Sequence, residues 1–160
     1  MSARKNKPAR KAVVLLSGGL DSATALYFAG KLGYRASCLV FEYGQRHRNE
    51  VQAARRIARA AGCACTVLKI SLPWKGSSLL DRKQGIPSAT SDKQQATGKI
   101  PSTYVPARNI IFLSYAISCA EAIGAEAVFI GANAVDYSGY PDCRPRFYRA
   151  YESVIAAGTR

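Results

Sequence analysis

The strongest constraint on the fold of this chain is an apolar run that leads through a glycine turn into a helix. Residues 12–16 (AVVLL) form an uninterrupted apolar run, which is typical of a strand buried on both faces. Residues 17–19 predict a turn, and residues 21–32 predict a helix that ends at Gly33. A buried strand followed at once by a helix favours an α/β fold.

The same alternation of strand and helix continues along the chain. Further strands are predicted over 35–41, 63–70 and 126–130, and further helices over 47–61, 109–123 and from Pro145 onward. We expect helix 109–123, which is apolar nearly all round, to be buried. The pattern predicts a doubly wound parallel sheet with helices on both faces. In such a sheet, ligands bind at the carboxyl ends of the strands.

Length and composition fit one domain. The chain has 160 residues, of which 48% are apolar, and this is enough to build a core. The basic composition of residues 1–11 predicts a flexible arm, and residues 12–160 are expected to form a single domain. Within this domain, the polar stretch 81–102 is expected to be a mobile loop. No uncharged apolar run has the length of a membrane span, and no apolar segment follows the N-terminus as in a secretory signal.

The chain is strongly basic, with a net charge of +13 from 23 Lys and Arg against 10 Asp and Glu. Only five of these cations lie in the first eleven residues, so the body of the chain is basic as well. A basic body fits an anionic partner such as a nucleotide, a phosphate or RNA. It fits a solvated basic surface equally well.

The cysteine and histidine content limits the available chemistry. Five cysteines without an export signal indicate reduced thiols and a cytoplasmic location. Cys63-Ala-Cys65 lacks the C-x-x-C spacing and has no second pair, so the spacing builds no zinc site of the usual type. His47 is the only histidine, which excludes any scheme that needs two histidines within one chain.

The clearest chemical motif is Leu16-Ser-Gly-Gly-Leu-Asp-Ser22, between the first strand and the first helix. Gly18 and Gly19 can adopt positive φ and bring backbone N–H groups close to an anion. The helix N-terminus adds donors and the positive end of its dipole, and Ser17 and Ser22 add hydroxyls. These groups predict a cradle for a phosphate or pyrophosphate. The motif is neither a Walker A loop nor a dinucleotide-binding fingerprint.

Two further segments place cations at the start of helices. In FEYGQRHRNE, Arg46 can pair with a phosphate or carboxylate, and His47 can donate to the same group or shuttle a proton. In TYVPARN, Arg108 and Asn109 can form a second phosphate clamp at a helix N-terminus. Each segment taken alone is also explained by an ordinary helix start with solvated side chains.

The loop after the fourth strand, GANAVDYSGYPDCR, gathers amide, carboxylate, phenol, thiol and guanidinium groups. Its tyrosines can stack on a flat heterocycle while Asp136 accepts hydrogen bonds from ring N–H groups. Cys143 is a candidate nucleophile, but the chain has no second histidine to activate it. A buried or substrate-lining role is therefore the alternative for Cys143.

These segments, in this order, resemble the 7-cyano-7-deazaguanine synthase (QueC) family of PP-loop ATP pyrophosphatases. The residues that carry the resemblance are LLSGGLDSATAL, FEYGQRHRNE, VPARNIIFL and GANAVDYSGYPDCRPRF, and it extends from residue 12 to about residue 158. The SGGLDS motif alone would also fit tRNA thiolases, GMP synthetase and asparagine synthetase. The YGQRH and DYSGYPDCR segments narrow the resemblance to the synthase family.

The resemblance implies a Rossmann-like fold with the strand order 3-2-1-4, and an ATP-dependent C–N ligase of queuosine precursor biosynthesis. The implied substrates are 7-carboxy-7-deazaguanine, ammonia and ATP with Mg²⁺, and the implied product is 7-cyano-7-deazaguanine. The carboxylate and then the amide oxygen would each be adenylated, and loss of the second AMP would leave the nitrile. The family also implies a cytoplasmic homodimer that binds neither membranes nor nucleic acid directly.

Site residues follow from the resemblance by position. Those implied to take part in catalysis are Ser17, Asp21, Ser22, Arg46, His47 and Arg108. Those implied to bind ATP are Leu16, Ser17, Gly18, Gly19, Leu20, Asp21, Ser22, Ala23, Thr24, Ala25, Leu26 and Asn109. Those implied to contact the deazaguanine are Asp136, Tyr137, Ser138, Asp142 and Arg144. No metal ligand is implied within these residues.

The chain departs from the family pattern in one respect. Family members continue into a C-terminal part with a four-cysteine zinc site, and none of the five cysteines here fits that cluster. The resemblance therefore leads us to expect a chain that lacks the zinc-binding part. Two alternatives to the synthase remain: a PP-loop tRNA-modifying enzyme of the thiolase type, and a truncated nucleotide-binding chain without catalytic activity.

Overall fold

The structure of the chain is a computed structural model that describes residues 9–44, 49–73, 77, 104–132 and 140–160. The segment 81–102 and most of the predicted arm lie outside this part of the chain. Where the arm is described, Lys11 is already the first residue of a strand, and Arg10 Nε lies 2.8 Å from a carboxylate oxygen of Glu126.

The chain alternates strands and helices as its apolar pattern predicts. The strands are β1 (Lys11–Leu15), β2 (Arg35–Glu42), β3 (Ala64–Lys69) and β4 (Ala127–Ile130). The helices are α1 (Leu20–Lys31), α2 (Asn49–Ala60), α3 (Arg108–Ile123) and α4 (Pro145–Gly158). A single 3₁₀ turn, Pro141–Cys143, precedes α4 in the described part and was not predicted. The observed ends agree with the predicted ones to within two residues where both are defined.

The four strands form one parallel sheet in the order β3-β2-β1-β4, which confirms the predicted fold class and strand order. β1 lies inside the sheet, where Val14 pairs with Cys38 of β2 on one side and with Phe129 of β4 on the other. Four of its five residues are buried, as expected for a strand that is covered on both faces.

Alternate side chains of the strands point to opposite faces and build two cores. The core that joins β1 and β2 to α1 and α2 contains Val14, Leu16, Leu26, Ala29, Ala36, Cys38, Val40, Ala54 and Ala58. The core that joins the same strands to α3 contains Val13, Leu15, Leu39, Phe41, Leu113, Ala116 and Ala120. The expectation that α3 is a buried helix is correct only for the side that carries Leu113, Ala116 and Ala120. On its outer side, Ile110 and Tyr115 are 40% and 45% exposed. α3 packs on the sheet through one side only.

The strand order creates a switch point between β1 and β4. From β1 the chain moves through β2 to β3 on one side, and then crosses back to add β4 on the other side. The connections at the carboxyl ends of β1 and β4 therefore diverge and leave a crevice between them. In the described part of the chain, none of the helices is long and apolar enough to cross a membrane.

Candidate active site

A cleft of about 570 Å³ opens at the carboxyl ends of β1, β2 and β4. The cleft therefore lies at the switch point, where the topology predicts a ligand. Its walls come from the ends of these three strands, the β1–α1 loop, and the first turns of α2 and α3. The described lining residues are Leu15, Leu16, Ser17, Gly18, Gly19, Asp21, Ser22, Leu39, Val40, Phe41, Tyr43, Asn49, Glu50, Val51, Ala53, Arg108, Asn109, Phe112, Ile130, Gly131, Ala132, Tyr140 and Cys143.

The β1–α1 loop is held in shape by two serine hydroxyls. Ser22 Oγ is buried; it donates to the carbonyl of Gly19 at 2.9 Å and accepts from the Ser17 backbone N–H at 3.2 Å. Ser17 Oγ lies 3.0 Å from Ser22 Oγ and accepts from the Gly19 N–H at 3.4 Å. These hydrogen bonds hold the loop together, and Ser17 is exposed at its rim.

Helix α1 begins at the floor of the cleft with unused donors. Gly19 is its N-cap in an extended conformation, and no side chain of the described residues caps this end. The first N–H groups of a helix have no intrahelical partner, and the dipole places partial positive charge there. Asp21, in the first turn, is exposed and is the only carboxylate of that turn. This end of α1 is suited to bind a phosphate or pyrophosphate.

Two glycines let the elements around the loop approach one another closely. Gly18 has a φ of +89°, and a Cβ at this position would lie 2.6 Å from the carbonyl oxygen of Glu50 in α2. A Cβ at Gly131, directly after β4, would lie 2.5 Å from the backbone nitrogen of Ser22. Gly18 uses the positive φ that its sequence allows, whereas Gly19 has a φ of −85°. Gly131 was not among the predicted site residues.

On the opposite wall of the cleft, a cluster of aromatic side chains holds the guanidinium of Arg108. Arg108, the first residue of α3, donates from Nη1 to the hydroxyl of Tyr43 at 3.2 Å. Phe112, one turn further, stacks on Phe41 with ring centroids 4.0 Å apart and meets Tyr43 edge to face at 5.3 Å. These contacts hold the guanidinium at the rim of the cleft, where it can pair with a phosphate.

The first turn of α3 is also tied to the 3₁₀ turn before α4. The backbone N–H of Asn109 donates to Asp142 Oδ2 at 2.9 Å. The side-chain amide of Asn109 donates to the carbonyl of Asp142 at 3.2 Å and lies 3.2 Å from Cys143 Sγ. Asn109 and Asp142 are both buried. Burial of the nearby Tyr148 hydroxyl raises the pKa of that phenol, with Cys143 and Asp142 adding to the effect.

The predicted site residues divide into three groups. Six of the eleven residues from Leu16 to Leu26 line the cleft, and so do Arg108 and Asn109. Leu20, Ala23, Thr24, Ala25 and Leu26 do not, and Leu26 faces the core. Asp142 and Arg144 are not in the lining, although their neighbours Tyr140 and Cys143 are. Arg46, His47, Asp136, Tyr137 and Ser138 lie outside the described residues.

Sequence reasoning missed Tyr43 and Phe112 as well as Gly131. Tyr43 stands at the end of a predicted strand, and its place in FEYGQRH is the signal that could have included it. Phe112 lies within VPARNIIFL, which is the same kind of signal, but an apolar residue one turn into a helix is ordinarily read as core. In the part of the chain that the structure describes, no three His, Cys, Asp or Glu side chains come together so that they could hold a metal ion.

The fold and the glycine loop before the uncapped N-terminus of α1 define the class of protein. A parallel 3-2-1-4 sheet with an SGGxDS loop at its switch point is a PP-loop ATP pyrophosphatase fold. A solved 4-thiouridine synthetase, in complex with RNA and with bound ATP, matches 91% of this chain and 34% of its own length with a TM-score of 0.55 and 23% identity. A structure titled as a predicted subunit of a tRNA methyltransferase from Methanocaldococcus jannaschii gives a TM-score of 0.53 at 19% identity, covering 92% of this chain and 64% of that one. These likenesses concern the fold alone.

The sequence profile of the family described as "Queuosine biosynthesis protein QueC" matches residues 11–160, and the chain belongs to this family. The 7-cyano-7-deazaguanine synthase of Anaeromyxobacter dehalogenans is 52% identical over 160 residues, which are 99% of this chain and 68% of that protein. The synthase of Thermoplasma acidophilum is 48% identical over 150 residues, 94% of this chain and 62% of that one. The chain thus spans about two thirds of the length of such relatives.

Proposed function

We propose that this chain is an ATP-dependent C–N ligase that converts 7-carboxy-7-deazaguanine and ammonia to 7-cyano-7-deazaguanine. The observation that carries the proposal is the uncapped N-terminus of α1 at the switch point, built from the SGGLDS loop of a member of this family. Family membership favours the synthase over the thiolase alternative, because the match covers residues 11–160 and is not confined to the loop.

The proposed reaction has two adenylation steps. The substrate carboxylate attacks the α-phosphorus of ATP, pyrophosphate leaves, and an acyl adenylate forms. Ammonia then displaces AMP, and an amide forms with release of a proton. The amide oxygen then attacks the α-phosphorus of a second ATP, pyrophosphate leaves, and one N–H proton is released as an O-adenylated imidate forms. Loss of AMP and of the remaining proton on nitrogen then leaves the nitrile.

The described residues divide the work of binding between the two walls of the cleft. The N–H groups in the first turn of α1 would bind the departing pyrophosphate, because they have no intrahelical partner and the helix dipole places partial positive charge there. Arg108 would pair with the phosphate chain from the other wall. Asp21, exposed beside the loop, is the carboxylate that would share Mg²⁺ with the phosphates. When bound, Mg²⁺ would offset negative charge on the polyphosphate.

The remaining expectations extend this proposal. Arg46 and His47 would contact the polyphosphate, and Asp136, Tyr137 and Ser138 the deazaguanine. We propose that the chain acts as a homodimer in the cytoplasm, without direct binding to nucleic acid. The described cysteines are not grouped as a four-cysteine zinc site would require.

A mass-spectrometric assay of the 160-residue chain tests the function. The protein is supplied with ATP, Mg²⁺, 7-carboxy-7-deazaguanine and ¹⁵N-labelled ammonium. The expected products are a nitrile that carries one ¹⁵N, and two AMP for each nitrile. ATP binding without nitrile or amide would contradict the proposal and support a nucleotide-binding chain without this activity.

Ser22→Ala and Ser153→Ala form a matched pair for the same assay. Ser22 Oγ organises the loop, so its loss is expected to lower the rate about 10- to 100-fold. Ser153 is exposed on α4, away from the cleft, and its removal should leave the rate unchanged. Equal rates for the two variants would argue against a role of the loop in the reaction.

A further inference from the structure

The start of α3 lacks a capping side chain in its own sequence. Its N-cap is Ala107, which has no side-chain acceptor and sits in the left-handed region with φ 55°. The N–H groups of a first helical turn need acceptors, and a left-handed alanine is held in place only by its surroundings. Something outside the helix must therefore stabilise this turn.

Asp142 supplies that acceptor from 33 residues further along the chain. Its carboxylate accepts from the Asn109 N–H at 2.9 Å, and a negative charge at this position also complements the helix dipole. The Asn109 side chain returns a hydrogen bond to the Asp142 carbonyl at 3.2 Å. Because Asp142 is 5% exposed, this reciprocal pair is shielded from water.

The turn that Asp142 caps is the one that carries Arg108 into the cleft. Arg108 is adjacent to Asn109, and its guanidinium reaches the Tyr43 hydroxyl at the rim. A loosened first turn would let the guanidinium leave this position while the remainder of α3 stays packed through Leu113 and Ala116. The carboxylate of Asp142 itself is directed at the helix and is not part of the cleft lining.

We propose that Asp142 is a positioning residue, which caps α3 and thereby holds Arg108 in place for the phosphates of ATP. This role differs from the direct deazaguanine contact that the family resemblance implies for Asp142. The inference rests on the proposed function only in so far as the cleft binds ATP.

A double-mutant cycle on ATP affinity tests this role, with ATP and Mg²⁺ titrated into the full chain. Arg108→Ala should weaken binding about 10- to 100-fold, the range for one charge-assisted contact. Asp142→Ala should weaken it about 10-fold in the wild-type background and less than about 2-fold in the Arg108→Ala background. Asp142→Asn keeps an oxygen towards the Asn109 N–H and should stay within about 3-fold of wild type.

Hydrogen exchange at residues 104–113 gives a readout that does not depend on ATP. Asp142→Ala should speed exchange at the Asn109 amide, and Asp142→Asn should restore most of the protection. If Asp142→Ala does not fold, Asp142→Leu replaces it in the cycle, because it removes the acceptor for the Asn109 N–H without leaving a cavity.

Three outcomes would overturn the inference. Additive losses from Asp142→Ala and Arg108→Ala would show that Asp142 does not act through Arg108. An Asp142→Asn variant as weak as Asp142→Ala, with normal exchange, would indicate direct contact between the carboxylate and the ligand. A wild-type chain that does not bind ATP would refute the proposed function, and this inference with it, whereas the first two outcomes leave the function intact.

Discussion

Gly131 is the position where the absence of a side chain matters most directly for the cleft. A Cβ there would lie 2.5 Å from the backbone nitrogen of Ser22 and 2.6 Å from the carbonyl carbon of Asp21. Both neighbours are backbone atoms of the first turn of α1, so neither can move aside as a flexible side chain could. The end of β4 and the start of α1 can therefore meet only at glycine.

Gly131→Ala is predicted to displace α1 from β4 and to weaken ATP binding at least about tenfold. The free energy of unfolding should fall by about 1–3 kcal/mol, the range for overpacking in a well-packed interior. Isothermal titration with ATP and thermal denaturation measure the two effects. Gly30→Ala is the control: it lies in α1 with open space around its Cβ, and should stabilise by about 0.4–1 kcal/mol. Equal behaviour of the two variants would contradict the close approach.

Cys38 connects the core to the pH dependence of stability. It is buried in β2, and burial raises the pKa of its thiol from 9.0 to about 12, with Cys63 and Cys65 adding to the effect. The folded state thus retains a proton that the unfolded chain loses above pH 9. The resulting stability is fully present below pH 9 and is lost as the pH rises towards 12.

The free energy of unfolding is therefore predicted to fall by about 2 kcal/mol between pH 8.5 and 10.5 through Cys38 alone. Urea denaturation at the two pH values measures this slope. Cys38→Ala should be less stable at pH 8.5 and lose less stability on going to pH 10.5. Val40→Ala, which removes buried apolar volume from the same strand without removing a titratable group, should keep the wild-type slope. An unchanged slope in Cys38→Ala would refute the assignment.

Among the helices, α4 is the least firmly packed. None of its residues is fully buried, and it contacts the core through Phe147, Tyr148 and Tyr151. The Tyr148 hydroxyl is buried and has no hydrogen-bond partner among the described residues. The Tyr151 hydroxyl, in contrast, lies 2.9 Å from Ser114 Oγ. One phenol of this helix thus adds stability and the other reduces it.

Tyr148→Phe is predicted to stabilise the protein by about 1–2 kcal/mol, because it removes a buried polar group that makes no bond. Thermal unfolding at pH 7 should show a higher melting temperature. Tyr151→Phe, the same substitution one turn away, should be neutral or slightly destabilising through loss of the Ser114 contact. A drop in stability for Tyr148→Phe would mean that the hydroxyl has a partner in solution.

At the element scale, the sequence predicts the sheet because its signals are local. The apolar run 12–16 and the glycines after the helices act within a few residues, so nearly all element ends could be stated in advance, whereas the strand order followed from the family resemblance. The hydrogen bond between Asn109 and Asp142 joins segments 33 residues apart, and no sequence pattern predicts it. The same holds for Gly131, whose neighbour Ser22 is distant in sequence. The loop motif was found, whereas the contacts that assemble its surroundings were not.

For the molecule as a whole, ligand binding and stability are linked. Binding of ATP with Mg²⁺ at 100 times its dissociation constant is predicted to add about 2.7 kcal/mol to the free energy of unfolding. For a chain of this length that raises the melting temperature by roughly 5–10 °C. Differential scanning fluorimetry measures the shift, with sulfate at equal ionic strength as the control for general anion effects.

Gly18→Ala should abolish the shift, since a Cβ there meets the backbone of α2. A shift retained in Gly18→Ala would place the ATP site elsewhere.

The position of β1 inside the sheet also bears on how the chain is made. Ala12 of β1 pairs with Ala36 of β2 and, at its other edge, with Ala127 of β4. During synthesis on the ribosome, β1, β2 and β3 emerge long before β4, so one edge of β1 stays open while most of the chain is still being translated. Nascent chains held at that stage would be the natural clients of chaperones. Retention on an ATP resin would begin only when the ribosome has released β4, so nucleotide capture would report the moment at which β1 gains its second neighbour.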